Sequence, residues 1–342
     1  MKKVKIIFIA LLFGTVLGHG QVTKVGTTVA NFLSIESGAR AVGMGGAFVA
    51  VAEGPAAMYW NPSGIARVDK FSTAFNYSKW LLDINYNFIG AVLPLGENGT
   101  LGIHAIFLTM DDMQITTVQY PEGIENGYFS AGNYAFGVSY GFNLTDRFSM
   151  GFNAKYIEEY ISQSSASAIA FDIGTLYTTE FDGVNIGMSI SNYGTKMQMS
   201  GKDLLVQHDS YDQAGNNPRI NANLETEEFD LPLIFRFGLS WDALKGASNS
   251  NLLVAVDALV PNNNYKSINA GLEYVYNKMF SLRGGYNTWY GGGNRDETDQ
   301  TGLSMGLGFK YSVDFADIAI DYAYRDFGIL NDIQMFAVQL EF

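Results

Sequence analysis

The chain has 342 residues, with 34 acidic against 21 basic side chains, a formal net charge of −13 and no cysteine. That balance, with no basic cluster to offset it, excludes nucleic acid as a partner, and the missing cysteine excludes a disulfide framework, a thiolate site and a lipidated N-terminal Cys. Charged residues make up only 16% while aromatics reach 14%, a thin coat of charge for a surface that must face water.

Lys2, Lys3 and Lys5 form a positive start, Ile6 to Leu17 a short apolar run, and small residues at Gly18 to Gly20 a cleavage site, so residues 1–20 read as an export signal. The apolar run is too short for a membrane-spanning helix, and Gln21 onward turns polar. Residues 21–70 then precede the first strand. Their centre, "SGARAVGMGGAFVAVAEGPAAMYWNPSGIA" from Ser37 to Ala66, is nearly all Ala, Gly and apolar side chains. Two short helices are predicted in it, Ala47 to Ala52 and Pro55 to Tyr59, the second with proline in its first turn. Asn61, Pro62, Ser63 and Gly64 read as a turn, in which Asn61 bonds its own backbone and Gly64 tolerates positive φ. "GMGG" at Gly43 to Gly46 lacks the spacing and the Lys-Ser or Lys-Thr of a phosphate-binding loop, so Gly43, Gly45 and Gly46 are read as close-packing residues.

From Phe71 to the end the dominant period is two. "NYAFGVSYGFNL" places Tyr134, Phe136, Val138, Tyr140, Phe142 and Leu144 on one face, and Ala135, Gly137, Ser139, Gly141 and Asn143 on the other. About fourteen such strands are predicted, starting near residues 71, 84, 99, 133, 148, 167, 184, 231, 252, 265, 279, 301, 316 and 332. The third, seventh and eleventh connections are long (Thr109 to Gly132, Tyr193 to Asp230, and "YGGGNRDETDQ"), whereas the even-numbered ones are brief. Short turns on one side and long loops on the other are the habit of outer-membrane barrels, and an even strand number returns both termini to the periplasmic side. The chain ends on Phe342 in an alternating strand.

A soluble β protein would also alternate, but it would dress its outward face in Lys, Glu, Thr and Asp. Here the bulky face is Tyr, Phe, Leu and Ile. A sheet in hydrocarbon must close on itself, because each unpaired backbone group at an edge costs several kcal/mol there. Residues 71–342 are therefore expected to form a closed antiparallel transmembrane β-barrel in the outer membrane of a Gram-negative bacterium. A barrel that wide leaves a lumen its own wall does not fill. Residues Asn31 to Ala66 are expected to plug it.

Fourteen strands preceded by a glycine-alanine segment ending "MYWNPSGIA" resemble the FadL-type superfamily of outer-membrane proteins, and "GARAVGMGGAFVAVAEGPAAMYWNPSGIA" is most similar to its PorV/PorQ family. The resemblance implies two functions. FadL transporters plug their barrel with the N-terminal region and release hydrophobic ligands, long-chain fatty acids among them, sideways through the wall. PorV and PorQ proteins serve type IX secretion, where one kind binds the C-terminal sorting domain of exported proteins and delivers them to a surface attachment complex. On the first reading a greasy pocket is expected near Phe48, Met58, Tyr59 and Trp60. On the second, partners meet the acidic seventh loop, with Asp203, Asp209, Asp212, Glu225, Glu227, Glu228 and Asp230 against Lys196, Lys202 and Arg219. The secretion role is taken as the main expectation.

Arg40 and Glu36, four apart, are expected to pair across a helical turn or to reach the wall. An enzyme would have to work with His104 and His208. His104 alternates to the face of Gly102 and Ile106 with no serine beside it and is read as a lumen-facing hydrogen-bonding residue, while His208 has no cluster of ligands for zinc. No catalytic residues, metal or cofactor are expected.

Overall fold

Alternation with a greasy outer face folds into a closed wall. The computed structural model describes residues 25–181, 183–208, 220–244, 249–290, 302–330 and 332–342. Fourteen strands form the wall: β1 Ser72–Lys79, β2 Asn85–Pro94, β3 Thr100–Thr109, β4 Ala131–Thr145, β5 Phe148–Ile161, β6 Ser164–Thr178 and β7 Val184–Gly194. The second half is β8 Ile234–Asp242, β9 Ser250–Pro261, β10 Lys266–Tyr276, β11 Phe280–Tyr290, β12 Leu303–Val313, β13 Ala316–Arg325 and β14 Ile333–Glu341. Each pairs antiparallel with its chain neighbours, and β1 pairs with β14, Ser72 opposite Glu341, so the sheet has no free long edge. Every strand begins within three residues of its sequence expectation.

Side chains sort by face as a lipid environment demands. Along β4 Phe136, Val138 and Tyr140 are exposed while Ala135, Gly137 and Ser139 are buried, and Ile103 is 62% exposed beside buried Gly102 and His104. A water-facing sheet with that many exposed large apolar side chains would aggregate, so the outer band is a lipid surface. Strands β4 to β6, at 14 or 15 residues, exceed the ~9–11 needed to cross a bilayer and project beyond it. The ends of β1 and β14 share the side of the brief even-numbered turns, which is the periplasmic side. The long connections β3–β4 and β7–β8 rise from the other end. Met113–Gln114 pairs with Tyr128–Phe129 in the first, and Leu205–His208 with Ile220–Asn223 in the second. The export signal, Asp209, Asp212, Arg219 and the eleventh loop lie outside the described residues.

The wall is irregular where β6 meets β7. The register shifts between Phe171 and Ile173, so Asp172 alone stands opposite Ser191 and Asn192, and Asn192 takes φ 66°. A bulge of this kind leaves a backbone group to be satisfied by a side chain. Here the Asn192 N–H donates to the Asp172 carboxylate at 2.7 Å, and Lys155 lies 2.9 Å from the same carboxylate.

Candidate functional site: the plug and the lumen

Small residues let the N-terminal segment run against the inner wall. It starts at the loop end, where Thr28 bridges Asp230 and Asn263 donates to Thr28 Oγ1, and descends to β1 at the periplasmic end. Its two α-helices are α1 Ala39–Gly43 and α2 Ala57–Trp60, and a 3₁₀ turn covers Pro62–Arg67. The expected helix over Ala47 to Ala52 does not form, and α1 stands earlier in the chain. Gly45 and Gly46 have φ of 68° and 77°, which ends α1, and the Phe48 and Val49 N–H groups donate to the Asp257 carboxylate of β9, at 2.7 and 2.8 Å. A strand aspartate thus ties the backbone that follows α1 to the wall.

Glycines meet glycines where the plug touches the wall. A Cβ on Gly43 would lie 3.0 Å from Gly306 Cα, and one on Gly45 2.7 Å from Tyr286 N. Gly64 has no positive φ, contrary to the turn reading. It is small because a Cβ there would overlap the Ala52 carbonyl oxygen. Asn61 caps the Pro62 turn, accepting from Ser63 N–H and from Ser63 Oγ at 2.6 Å, while its amide donates to the carbonyls of Val49 and of Thr175 on β6. Asn61 therefore ties two plug turns to the wall, and Ser63 of the expected turn is buried beside it. Pro62 packs over Gly151 and Gly174, at both of which a Cβ would strike the turn.

Charge fixes the other side of the plug. Arg40 donates bidentately to Glu273 of β10 through Nε and Nη2, both at 2.8 Å, and also reaches Glu53. Glu273 accepts from Arg283 at 2.6 Å, and Arg283 bonds Asp321 at 2.5 Å. Glu36 pairs with Arg325 of β13 at 2.6 Å. Of the two sequence alternatives for Arg40 and Glu36, each therefore reaches the wall, and Glu36 lies before α1. His104 is buried and stacks on Phe88 with ring centroids 5.8 Å apart; its Nδ1 has no hydrogen-bond partner, which departs from the expected bonding role.

Above the plug, at the loop end, lies a cavity of about 780 Å³. Tyr59, Trp60 and Val42 form its floor; Phe32, Trp80, Leu108, Phe327 and Met335 supply apolar walls. Burial holds the Tyr59 hydroxyl neutral, its pKa raised well above the phenol range. Of the four residues expected to line a pocket, Tyr59 and Trp60 do. Phe48 packs edge-on against Trp60 at 6.0 Å outside the cavity, and Met58 borders a separate small void of about 10 Å³ with Leu33, His104, Ile106, Lys155, Ser191 and Asn192. Arg236 of β8 lines both spaces, its guanidinium 5.6 Å from the Tyr59 ring and 5.5 Å from the Trp60 ring. Neither Arg236 nor Asp257 was marked from sequence. Each is a lone charge on a small-residue strand face, and only that contrast could have flagged it.

In the seventh loop Asp203 accepts from Gln163 N–H at 2.7 Å and so braces the β5–β6 turn, while Glu225, Glu227 and Glu228 line an open, exposed groove with Gln198. Among the described residues no group of His, Cys, Asp or Glu could hold a metal ion.

A closed fourteen-strand barrel with lipid-facing aromatics and a plugged lumen defines an outer-membrane β-barrel protein. The family model described as type IX secretion system protein PorV matches residues 19–233, more than half of the chain, and the chain belongs to that family. No curated protein matches it in sequence. Among solved structures it is similar to the CymD monoaromatic hydrocarbon channel (12% identity, 90% of this chain and 97% of that one, TM-score 0.53). It is also similar to the Ralstonia pickettii toluene transporter TbuX (13%, 89% and 97%, 0.54) and to a Pseudomonas aeruginosa FadL homologue (12%, 90% and 98%, 0.51). At such identities the likeness is one of fold.

Proposed function

We propose that the protein takes a hydrophobic small molecule, such as a long-chain fatty acid, from the cell exterior into its lumen. The cavity above the plug carries this reading. Its ~780 Å³ is the size of a small-molecule site, and its lining joins aromatic and aliphatic side chains to a polar share that includes Glu36, Glu159, Arg236 and Arg325. Access is from the loop end, and the plug closes the direct path to the periplasm. The solved barrels of like fold include ones named as hydrocarbon channels and toluene transporters, which is in keeping with such a ligand.

A second reading is favoured by the family match and by the β7–β8 connection. On it, the protein is an accessory of type IX secretion whose outer rim and acidic loop hold exported proteins with C-terminal sorting domains, or subunits of an attachment complex. The two separate in one experiment: isolation of the native protein in mild detergent, with mass spectrometry of the proteins and lipids that accompany it. Stoichiometric hydrophobic ligand, and slower uptake of that compound in a deletion strain with intact secretion, supports the first. Enrichment of exported proteins with sorting domains and no small molecule would replace it with the second.

A further inference from the structure

The outer cavity has two unlike arcs. Trp80 and Ile84 at the β1–β2 turn, Leu108 of β3, and Ile333 and Met335 of β14 face it from neighbouring parts of the wall and make one arc apolar. On another, Asn263 and Asn264 of the β9–β10 turn, Ser267 of β10 and Asn287 of β11 bring neutral hydrogen-bonding side chains. Two acids and two arginines line the cavity as well, Glu36, Glu159, Arg236 and Arg325 among the described residues. Each is already engaged. Glu36 and Arg325 pair at 2.6 Å, their side chains only 16% and 13% exposed. Glu159 accepts the Ala30 N–H. Arg236 donates to Ser191 Oγ at 2.9 Å and to the Tyr59 hydroxyl, and buried Asp257 lies in its electrostatic reach. The formal charges of the lining therefore cancel.

Resting on the uptake reading above, we propose that the cavity selects amphiphiles whose head group is uncharged and both donates and accepts hydrogen bonds, as a carboxamide does. A carboxylate would have to leave water for a lining whose charges are already balanced. It would gain a guanidinium only by displacing Glu36 from Arg325 or by entering beside Asp257, and either course leaves a buried carboxylate poorly compensated. A plain hydrocarbon fails for the opposite reason, because it strips water from Ser267 and the asparagine amides and returns no hydrogen bond. An uncharged polar head meets both conditions. Its donor and acceptor replace the water lost by those side chains, its chain lies along the apolar arc, and no ion pair is broken.

The test uses the full-length protein in a zwitterionic detergent at mildly alkaline pH, with 11-bromoundecanamide, 11-bromoundecanoate and 1-bromoundecane as matched probes. Bromine quenches tryptophan fluorescence, Trp60 and Trp80 line the cavity, and the quenching scored is that reversed by an excess of the same compound without bromine. The amide is expected to bind at least tenfold more tightly than the acid or the hydrocarbon. Glu36→Gln takes the carboxylate away from Arg325 and should raise the affinity for the acid at least tenfold, abolishing the preference for the amide. Ser267→Ala combined with Asn287→Leu should bring the amide down to the level of the hydrocarbon; heat-modifiable gel mobility confirms that each variant is folded. Acid binding as tightly as the amide in the wild type, or an acid affinity indifferent to Glu36→Gln in the folded variant, overturns the selectivity while leaving uptake standing. Failure of all three probes to bind the wild type counts against the uptake reading itself and removes the selectivity with it.

Discussion

Glu273→Gln is the substitution that most directly weighs what holds the plug. The carboxylate is 4% exposed and serves two guanidinium groups at once, Arg40 of the plug at 2.8 Å and Arg283 of the wall at 2.6 Å. Removing one partner of a buried ion pair costs about 3–5 kcal/mol, because the remaining charge stays buried. Arg283 keeps Asp321, but Arg40 keeps only Glu53, which is 60% exposed and sits in high dielectric. Glu53→Gln is therefore the matched control, with an expected cost below about 1 kcal/mol. At about 1.4 kcal/mol per decade, the first change should speed amide exchange across α1 and its exit by roughly two to three and a half powers of ten, and the second by less than a factor of about five. The Gly45 and Gly46 amides, which donate to Val42 and Ala41 at 2.9 and 3.0 Å, are the reporters. Exchange at those amides measured by mass spectrometry in detergent reads both variants. Equal effects of the two substitutions would refute the claim that burial, and not the mere presence of a salt bridge, sets the strength of the anchor.

Deleting Asn31 to Ala66 should turn a closed protein into one with measurable conductance in a planar bilayer; unchanged conductance would mean the segment does not seal the lumen. Gly285→Val should prevent assembly of the plugged barrel, since a Cβ there overlaps the Gly45 backbone nitrogen, so the cost exceeds the ~1–3 kcal/mol usual for overpacking; loss of heat-modifiable mobility checks it. Asn61→Ala should lower stability by more than the ~0.5–2 kcal/mol of a lost cap, because the Val49 and Thr175 carbonyls lose their donor as well, and chemical denaturation against Ser63→Ala would show it.

Period-two alternation is a local property, carried by each strand alone, and so strand number, order and lipid face could be read without knowing which strand touches which. Tyr134, Phe136, Val138, Tyr140, Phe142 and Leu144 must share one face whatever lies opposite, because the alternation of Cβ directions is built into extended backbone. Closure follows from the same reading, since hydrocarbon leaves no tolerable edge. The plug was legible only as a segment without another home. Its helix positions were not, because Gly45 and Gly46 admit several backbones and the contacts that fix this segment come from far along the chain, as from Asp257, 209 residues away, which accepts the Phe48 N–H.

The same distinction separates Arg40 from its partner. In the sequence Glu36 is one helical turn away; in the fold Glu273, 233 positions distant, takes two of its three nitrogen donors. Arg236 is a further case, since it lies over Tyr59 and Trp60 of the plug, which no window of neighbouring residues can reveal. The sequence by itself determined the barrel, its lipid face and its plug segment, because those depend on solvent and on local geometry. Tertiary structure alone decided which wall residues hold the plug and where a cavity survives above it, because those depend on side chains that meet only once the barrel has closed.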